Sequence, residues 1–277
     1  MHQLKATYIS MYMMALMGAM AYGIWSLVQG DAAGWGLLLA TVPTLGLFMV
    51  LFTQRVARTE QNLYWIPGVG AAGTVLAVAL GGMGLPAVVA LIVGVPMALL
   101  YTHWYSRFGA RQHPDLQPGQ ALPTFELQDI DGRTVTSTDL TTKPALWLFF
   151  RGNWCPLCMA QIKEVAAQYR QLAERGVEVL LISPQPQGHT QKLAQRFDAP
   201  MRFLTDVDNR AARRLGVLAE GGLPLGMQAL GYDSDVPMPT VFITAPGGKV
   251  VYSDLTDNYR IRPEPDDFIA ALDRAGL

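Results

Sequence analysis

The sequence has little charge and almost no cysteine. Charged residues make up 16% of the 277 positions, against about 25% in average globular proteins, and 51% are hydrophobic. This shortage of charge predicts that part of the chain lies in lipid. The formal net charge is −1, so it gives no reason to expect nucleic acid binding. The two cysteines, Cys155 and Cys158, are too close in sequence to form a structural disulfide framework, and the pair is typical of a redox or a metal site.

Charge is absent altogether from four apolar runs within residues 1–108. Each run has about 20 residues, which is the length that a helix needs to cross a hydrocarbon core about 30 Å thick. A cleaved signal peptide would be a single and shorter run. Residues 1–108 are therefore predicted to be an α-helical membrane domain with four transmembrane helices. The predicted spans are residues 8–29, 35–53, 66–84 and 86–105.

Basic residues fall on one side of this predicted membrane domain. With four spans, five basic residues share one side, whereas the opposite side carries Asp31 and no basic residue. By the positive-inside rule, both ends of the chain are expected in the cytoplasm, so the predicted localisation is the cell membrane, multi-pass, with the second domain facing the cytoplasm. The five basic residues are Lys5, Arg55, Arg58, Arg107 and Arg111.

The predicted spans show no sign of chemistry of their own. They contain no cysteine for a thiol relay, and His103 is their one histidine for an axial haem ligand. Met13, Met17 and Met20 share a face of the first helix, and thioethers bind Cu(I), but methionine is also an ordinary packing residue and we favour that interpretation. The membrane domain is therefore interpreted as an anchor or docking module, and no cofactor is predicted.

Proline and glycine mark a linker over residues 109–120, and residues 121–277 form a second predicted domain. Short strands and helices alternate there, which indicates a sheet covered by helices and thus an α/β fold. Residues 145–150 and 177–183 are continuous apolar runs that suit buried strands. A helix is predicted between them, over residues 156–175.

The cysteine pair lies in a WCPLC motif, at the end of a buried strand and the start of this helix. A helix N-terminus lowers the pKa of a cysteine through its free N–H groups and partial positive charge. Pro156 fits the first helical turn, which predicts that Cys155 is the exposed N-cap and Cys158 lies one turn further on. Cys155 is then the nucleophile, and Cys158 attacks the mixed disulfide to release the product. Trp154 is expected to pack beside the reactive sulfur.

The run FFRGNWCPLC resembles the thioredoxin superfamily, in particular its peroxiredoxin-like (AhpC/TSA, redoxin) branch. The earlier LPTFELQDIDGRTV and the later FLTDVDNRAARRLGV are similar to that branch as well. The resemblance covers about residues 118–277 and implies a central mixed sheet with flanking helices. It also implies that Pro239 is a cis-proline facing the cysteine pair, a bond that costs only about 0.5–1 kcal/mol. A trans proline at the entry of a strand is the alternative.

The sequence departs from this family at several positions. Leu148 and Gly152 stand where peroxiredoxins carry the Pro and Thr/Ser of their Pro-x-x-x-Thr/Ser-x-x-Cys frame, and Met238 falls about where their arginine would be. Arg151 can supply a compensating charge or lie on the solvated surface. Phe149 stands in place of the buried acid of thioredoxin, so the proton of the second cysteine needs another acceptor, such as water or a nearby glutamate.

These residues predict a membrane-anchored thiol–disulfide oxidoreductase that reduces protein disulfides and is itself reduced again by an upstream thiol reductant. The direction follows from the predicted compartment, because the cytoplasmic glutathione pool keeps such a pair mostly reduced. A thiol peroxidase is the first alternative, in which peroxide oxidises Cys155 to a sulfenic acid and Cys158 condenses with it. A zinc-binding module is the second, but His113 and His189 lack ligand spacing to the cysteines, so no metal is predicted.

Overall fold

The computed structural model describes residues 2–109, 111 and 113–277, and the chain divides into two compact units. Residues 3–55 and 59–107 form one of them, which we call the helical unit. Residues 56–58 and 108–277 form the other, the α/β unit.

The helical unit consists of apolar helices that pack closely through glycine. A Cβ atom added to Gly70 would collide with the backbone of Gly94, so the helices that carry them approach as near as their backbones allow. Pro96 lacks an N–H group and interrupts the last long helix. The helices are α1 (His2–Val28), α2 (Gly34–Phe52), α3 (Trp65–Gly81), α4 (Leu85–Gly94) and α5 (Pro96–Leu99), followed by a π-helical segment at Leu100–Tyr105.

Three helical stretches of this unit are long and apolar enough to cross a membrane: His2–Val28, Gly34–Phe52 and Leu85–Tyr105. The predicted span 66–84 falls short, because α3 has only 17 residues. Its helical conformation ends before Gly82, whose φ is +73°. The prediction of four full-length spans is therefore met only in part.

The α/β unit is built on a seven-stranded sheet. Its strands are β1 (Glu126–Gln128), β2 (Thr134–Thr136), β3 (Ala145–Phe149), β4 (Glu178–Ser183), β5 (Arg202–Thr205), β8 (Thr240–Thr244) and β9 (Val250–Asp254). They are arranged in the order β2-β1-β5-β4-β3-β8-β9. The β3–β4 and β4–β5 pairs are parallel, and the other pairs are antiparallel, so the sheet is mixed as the family resemblance implied.

In the described part of the α/β unit, five α-helices, several one-turn 3-10 helices and a short two-stranded pair accompany the sheet. The helix predicted over residues 156–175 is split, because Gln168 adopts a non-helical conformation between two shorter helices. The helices are α6 (Pro156–Ala167), α7 (Tyr169–Glu174), α8 (Gln187–Ala194), α9 (Arg210–Arg214) and α10 (Pro265–Ala275), and the two-stranded pair is β6 (Leu218–Ala219) with β7 (Val236–Pro237).

Strand β3 carries the chain from the core to the cysteine motif. All five of its residues are buried, and Trp147 stacks on Phe242 of β8 with ring centroids 5.5 Å apart. Phe149 at the end of β3 pairs with Thr240 at the start of β8. The sheet register therefore places the residues that follow β3 and the residues that precede β8 at the same edge of the sheet.

Candidate active site

The cysteine motif forms the turn between β3 and α6. Cys155 is the N-cap residue of α6 and Pro156 is the first residue of the helix, as the motif predicts. Both thiols are free, and their Sγ atoms lie 2.7 Å apart. At this distance the two sulfur atoms can share one proton, because either can donate it to the other.

The prediction that Cys155 is exposed is wrong. Its exposed fraction is 3%, and that of Cys158 is 0%. Trp154, next to Cys155, packs against an apolar cluster contributed mainly by residues 219–238, which we call the covering segment. The Tyr232 hydroxyl donates a hydrogen bond to the Asn153 side chain, and this bond holds the covering segment against the cysteine motif.

Arg151 provides a second attachment of the covering segment. Its guanidinium donates to the Gly222 carbonyl and lies 5.0 Å from the centre of the Trp154 ring. A cation in this position over an indole is attracted to the ring face. Of the two roles open to Arg151 from sequence, the structure therefore excludes a freely solvated surface side chain.

Arg262, a residue to which the sequence assigned no role, contacts the pair from the loop before α10. Its exposed fraction is 4%, and its Nη2 atom lies 3.5 Å from Cys158 Sγ. Its Nη1 atom donates to Gln161 Oε1 at 2.8 Å, and Gln161 is itself buried on α6, one turn beyond Cys158. A hydrogen-bonded cation thus lies against the second sulfur.

The surroundings of the two thiols drive their pKa values in opposite directions. Burial by itself raises the pKa of Cys158, but the hydrogen bond with Cys155 and the charge of Arg262 outweigh burial and lower that pKa to about 5. Burial, with the hydrogen bond to Cys158, raises the pKa of Cys155. These opposed shifts favour ionisation of Cys158 over Cys155 in the reduced pair, whereas the sequence led us to expect the thiolate on Cys155.

The α/β unit is similar to proteins of a known family. Residues 118–253 match the AhpC/TSA family. They form a peroxiredoxin-like domain of the thioredoxin superfamily. A cysteine-to-serine mutant of peroxiredoxin 6 from Arenicola marina superposes with a TM-score of 0.50 at 16% identity, covering 58% of this chain and 74% of that one, which is a likeness of fold.

Two kinds of curated proteins are similar to part of this chain. Thiol-disulfide oxidoreductase ResA of Bacillus subtilis (strain 168) is 27% identical over 154 residues, which are 56% of this chain and 75% of ResA. Chloroplastic peroxiredoxin Q of Populus jackii is 31% identical over 108 residues, which are 38% of this chain and 51% of that protein. The chain thus spans about half the length of the peroxiredoxin Q relative.

Pro239 lies at the same edge of the peroxiredoxin-like domain as the cysteine pair. It lines a small pocket together with Gln161 and Arg262. The expectation of a cis bond is wrong: no peptide bond between described residues is cis, so the Met238–Pro239 bond is trans. Trans is the intrinsically favoured form, and in this form Met238 N–H donates to the Val217 carbonyl while the Pro239 carbonyl accepts from Arg111.

The histidines weighed as metal ligands have other surroundings. The His189 ring packs against Tyr232 with centroids 5.1 Å apart. Burial and the charge of Arg111 lower the pKa of His113. Within residues 2–109, 111 and 113–277, no three His, Cys, Asp or Glu side chains cluster as a metal site would require.

Proposed function

We propose that this chain is a membrane-anchored thiol–disulfide oxidoreductase whose reactive groups are Cys155 and Cys158. The observation that carries the proposal is a pair of free thiols 2.7 Å apart at a helix N-terminus, with a buried arginine against one of them. The likeness to ResA, whose name states this activity, supports it. In this proposal residues 1–108 are the membrane domain with α3 as a shorter fourth span, residues 109–120 the linker and residues 121–277 the redox domain.

Exchange begins when Cys155 passes its proton to the Cys158 thiolate and attacks one sulfur of the substrate disulfide. The other substrate sulfur leaves as a thiolate and takes the proton from Cys158. Cys158 then attacks Cys155 Sγ, which forms the Cys155–Cys158 disulfide and releases the second substrate sulfur as a thiolate. The substrate gains two electrons, the pair loses two, and an upstream thiol reductant restores the dithiol.

A thiol peroxidase is the second candidate, and the burial of Cys155 favours it. A peroxide molecule is small enough to reach a sulfur that is 3% exposed, whereas a protein disulfide requires the covering segment to move. Cys155 would attack a peroxide oxygen to give a sulfenic acid and an alcohol or water, and Cys158 would condense with it to give the disulfide and water. The match to the AhpC/TSA family and the name of peroxiredoxin Q support this candidate.

The two candidates differ in their reaction rates. We expect the reduced full-length chain to reduce a disulfide-linked peptide at least about tenfold faster than a free thiol does at pH 7, because Cys158 accepts the proton of Cys155 during the attack and general base catalysis of this kind contributes about 10²–10⁴-fold. We expect hydrogen peroxide to oxidise it no faster than a free thiol, because Gly152 and Met238 replace polar peroxidatic residues. Stopped-flow measurements with each substrate give both rates, and a Cys155→Ser variant measures the background.

The opposite pattern of rates would replace the first candidate with the second. The chain would be a peroxidase if hydrogen peroxide oxidised it orders of magnitude faster than it oxidises a free thiol, while the chain reduced the peptide no faster than the Cys155→Ser background.

The redox domain is proposed to face the cytoplasm because the basic residues lie on its side of the predicted spans. In a Cys155→Ser/Cys158→Ser background, Arg133→Cys places a thiol on an exposed turn of the redox domain, and Gln29→Cys places one after α1 on the opposite side. We expect an impermeant maleimide to label Gln29→Cys in intact cells and Arg133→Cys only after permeabilisation. Labelling of Arg133→Cys alone in intact cells would reverse the orientation.

A further inference from the structure

Arg262 is a buried cation without a carboxylate partner. Among the residues that the structure describes, no Asp or Glu forms an ion pair with it, and its Nε atom has no hydrogen-bond partner. Its guanidinium donates hydrogen bonds to the neutral amide oxygen of Gln161 and to Cys158 Sγ. A buried charge is costly unless an opposite charge accompanies it. The group in contact that can become negative is the thiol of Cys158.

We propose that Arg262 is a catalytic residue of the cysteine pair, which holds Cys158 as the resting thiolate so that Cys158 accepts the proton of Cys155 during attack. The inference rests on the proposed function, to which it adds the proton acceptor. Thioredoxin carries a buried acid on the strand before its motif, and Phe149 stands at that position here. The proton released in the exchange therefore needs another acceptor in this chain. With a cation against its sulfur, the Cys158 thiolate can be that acceptor.

Contacts with two residues of α6 fix the position of the Arg262 guanidinium. Gln161 and Cys158 lie on the same side of α6, three residues apart, and Arg262 reaches both with separate nitrogen atoms of one planar group. This two-point contact fixes the guanidinium, so its charge stays at the second sulfur. A lysine offers no such planar fork, so Arg262→Lys is expected to restore the charge but only part of the effect.

The charged groups that face the pair act in the same sense. Arg262 and, more weakly, Arg151 lower the pKa of Cys158. The charge of Cys158 in turn offsets the burial of Arg262 and raises the pKa of the arginine, with a further contribution from Tyr259. Stabilising a thiolate of the reduced form favours that form, so Arg262 also makes the Cys155–Cys158 disulfide easier to reduce.

The test is a pH titration of thiolate ultraviolet absorbance in the reduced full-length chain. Cys155→Ser leaves the contact between Arg262 and Cys158 in place, and we expect its single thiol to titrate well below the ordinary range. Adding Arg262→Gln should cut the thiolate fraction at pH 7 at least about tenfold, because an unshifted cysteine is only a few per cent ionised there. Arg210→Gln removes the charge of an exposed arginine in α9 and is the matched control. It should leave the thiolate fraction at pH 7 unchanged.

Two results would overturn the proposal. One is an ordinary pKa for Cys158 in the Cys155→Ser chain, a measurement that does not depend on whether any Arg262 variant folds. The other is an unchanged titration in a folded Arg262→Gln variant, with folding checked by circular dichroism. Neither readout requires a substrate. Failure of the exchange assay together with a lowered Cys158 pKa would therefore refute the proposed function and, with it, the proton transfer, but would leave the stabilisation of the Cys158 thiolate by Arg262 standing.

Discussion

Replacing Cys158 with serine is expected to trap a mixed disulfide on Cys155 and to reduce turnover at least about a hundredfold, since removal of a group that acts in every cycle has effects of this size or larger. The serine cannot attack the mixed disulfide, so the second half of the exchange stops. The adduct should also form more slowly than wild-type attack, because Cys155 has lost the thiolate that accepts its proton. Mass spectrometry of the chain after mixing with a disulfide-linked peptide detects the adduct.

Cys155→Ser is the matched control for this experiment. It keeps the thiol next to Arg262 but removes the sulfur that attacks, so it should form little adduct and show no turnover. An adduct on Cys158 in Cys155→Ser, with none on Cys155 in Cys158→Ser, would reverse the roles of the two cysteines.

The rate of disulfide reduction is expected to stay nearly constant from pH 8 down to about pH 6 and then to fall about tenfold per pH unit below pH 5. The pKa of Cys158 is lowered to about 5, so its thiolate is present above that pH and is lost as the pH falls through it. The raised pKa of Cys155 keeps this thiol protonated over the same range. Initial rates with a peptide substrate that has no titratable group measure the profile.

A free thiol is the reference for this profile, because its rate falls tenfold per unit from about pH 8.5 downward. If the protein followed the free thiol, with a rate still rising steeply between pH 6 and pH 8, the thiolate would not be present in the resting pair.

Local sequence patterns predicted the elements that position the site. The strand before the motif, Cys155 as the N-cap and Pro156 as the first helical residue all follow from short-range rules, since an apolar run and a proline in the first turn act on neighbouring residues. Pro239 was placed by resemblance, and the pairing of Phe149 with Thr240 explains why it lies at the edge of the sheet where the motif begins.

Contacts between residues far apart in the chain could not be predicted from the sequence, for a physical reason. Arg262 is 104 residues from Cys158, and arginine is mostly exposed in proteins, so no periodicity marks it as buried against a sulfur. The covering segment is irregular and rich in glycine and proline, and such segments usually lie on the surface away from a core. Its packing against Trp154, and hence the burial of Cys155, could not be read from the chain.

The motif rule and the surroundings of the pair favour the thiolate on different sulfur atoms. A helix N-terminus favours ionisation of its N-cap cysteine where that cysteine is solvated. Here Cys155 is buried, and burial opposes its ionisation, whereas Cys158 has a cation in contact. The rule therefore indicated a reactive dithiol, and the tertiary structure decides which of its two members holds the negative charge.

The most direct test of a resting thiolate in this buried pair is the pH titration of ultraviolet absorbance in the reduced wild-type chain, with the Cys155→Ser/Cys158→Ser chain subtracted. One thiolate should appear with a midpoint near pH 5 and remain through neutral pH. If no thiolate absorbance develops until the pH exceeds about 8, the range of an unshifted cysteine, the chemistry described for Cys155 and Cys158 is wrong.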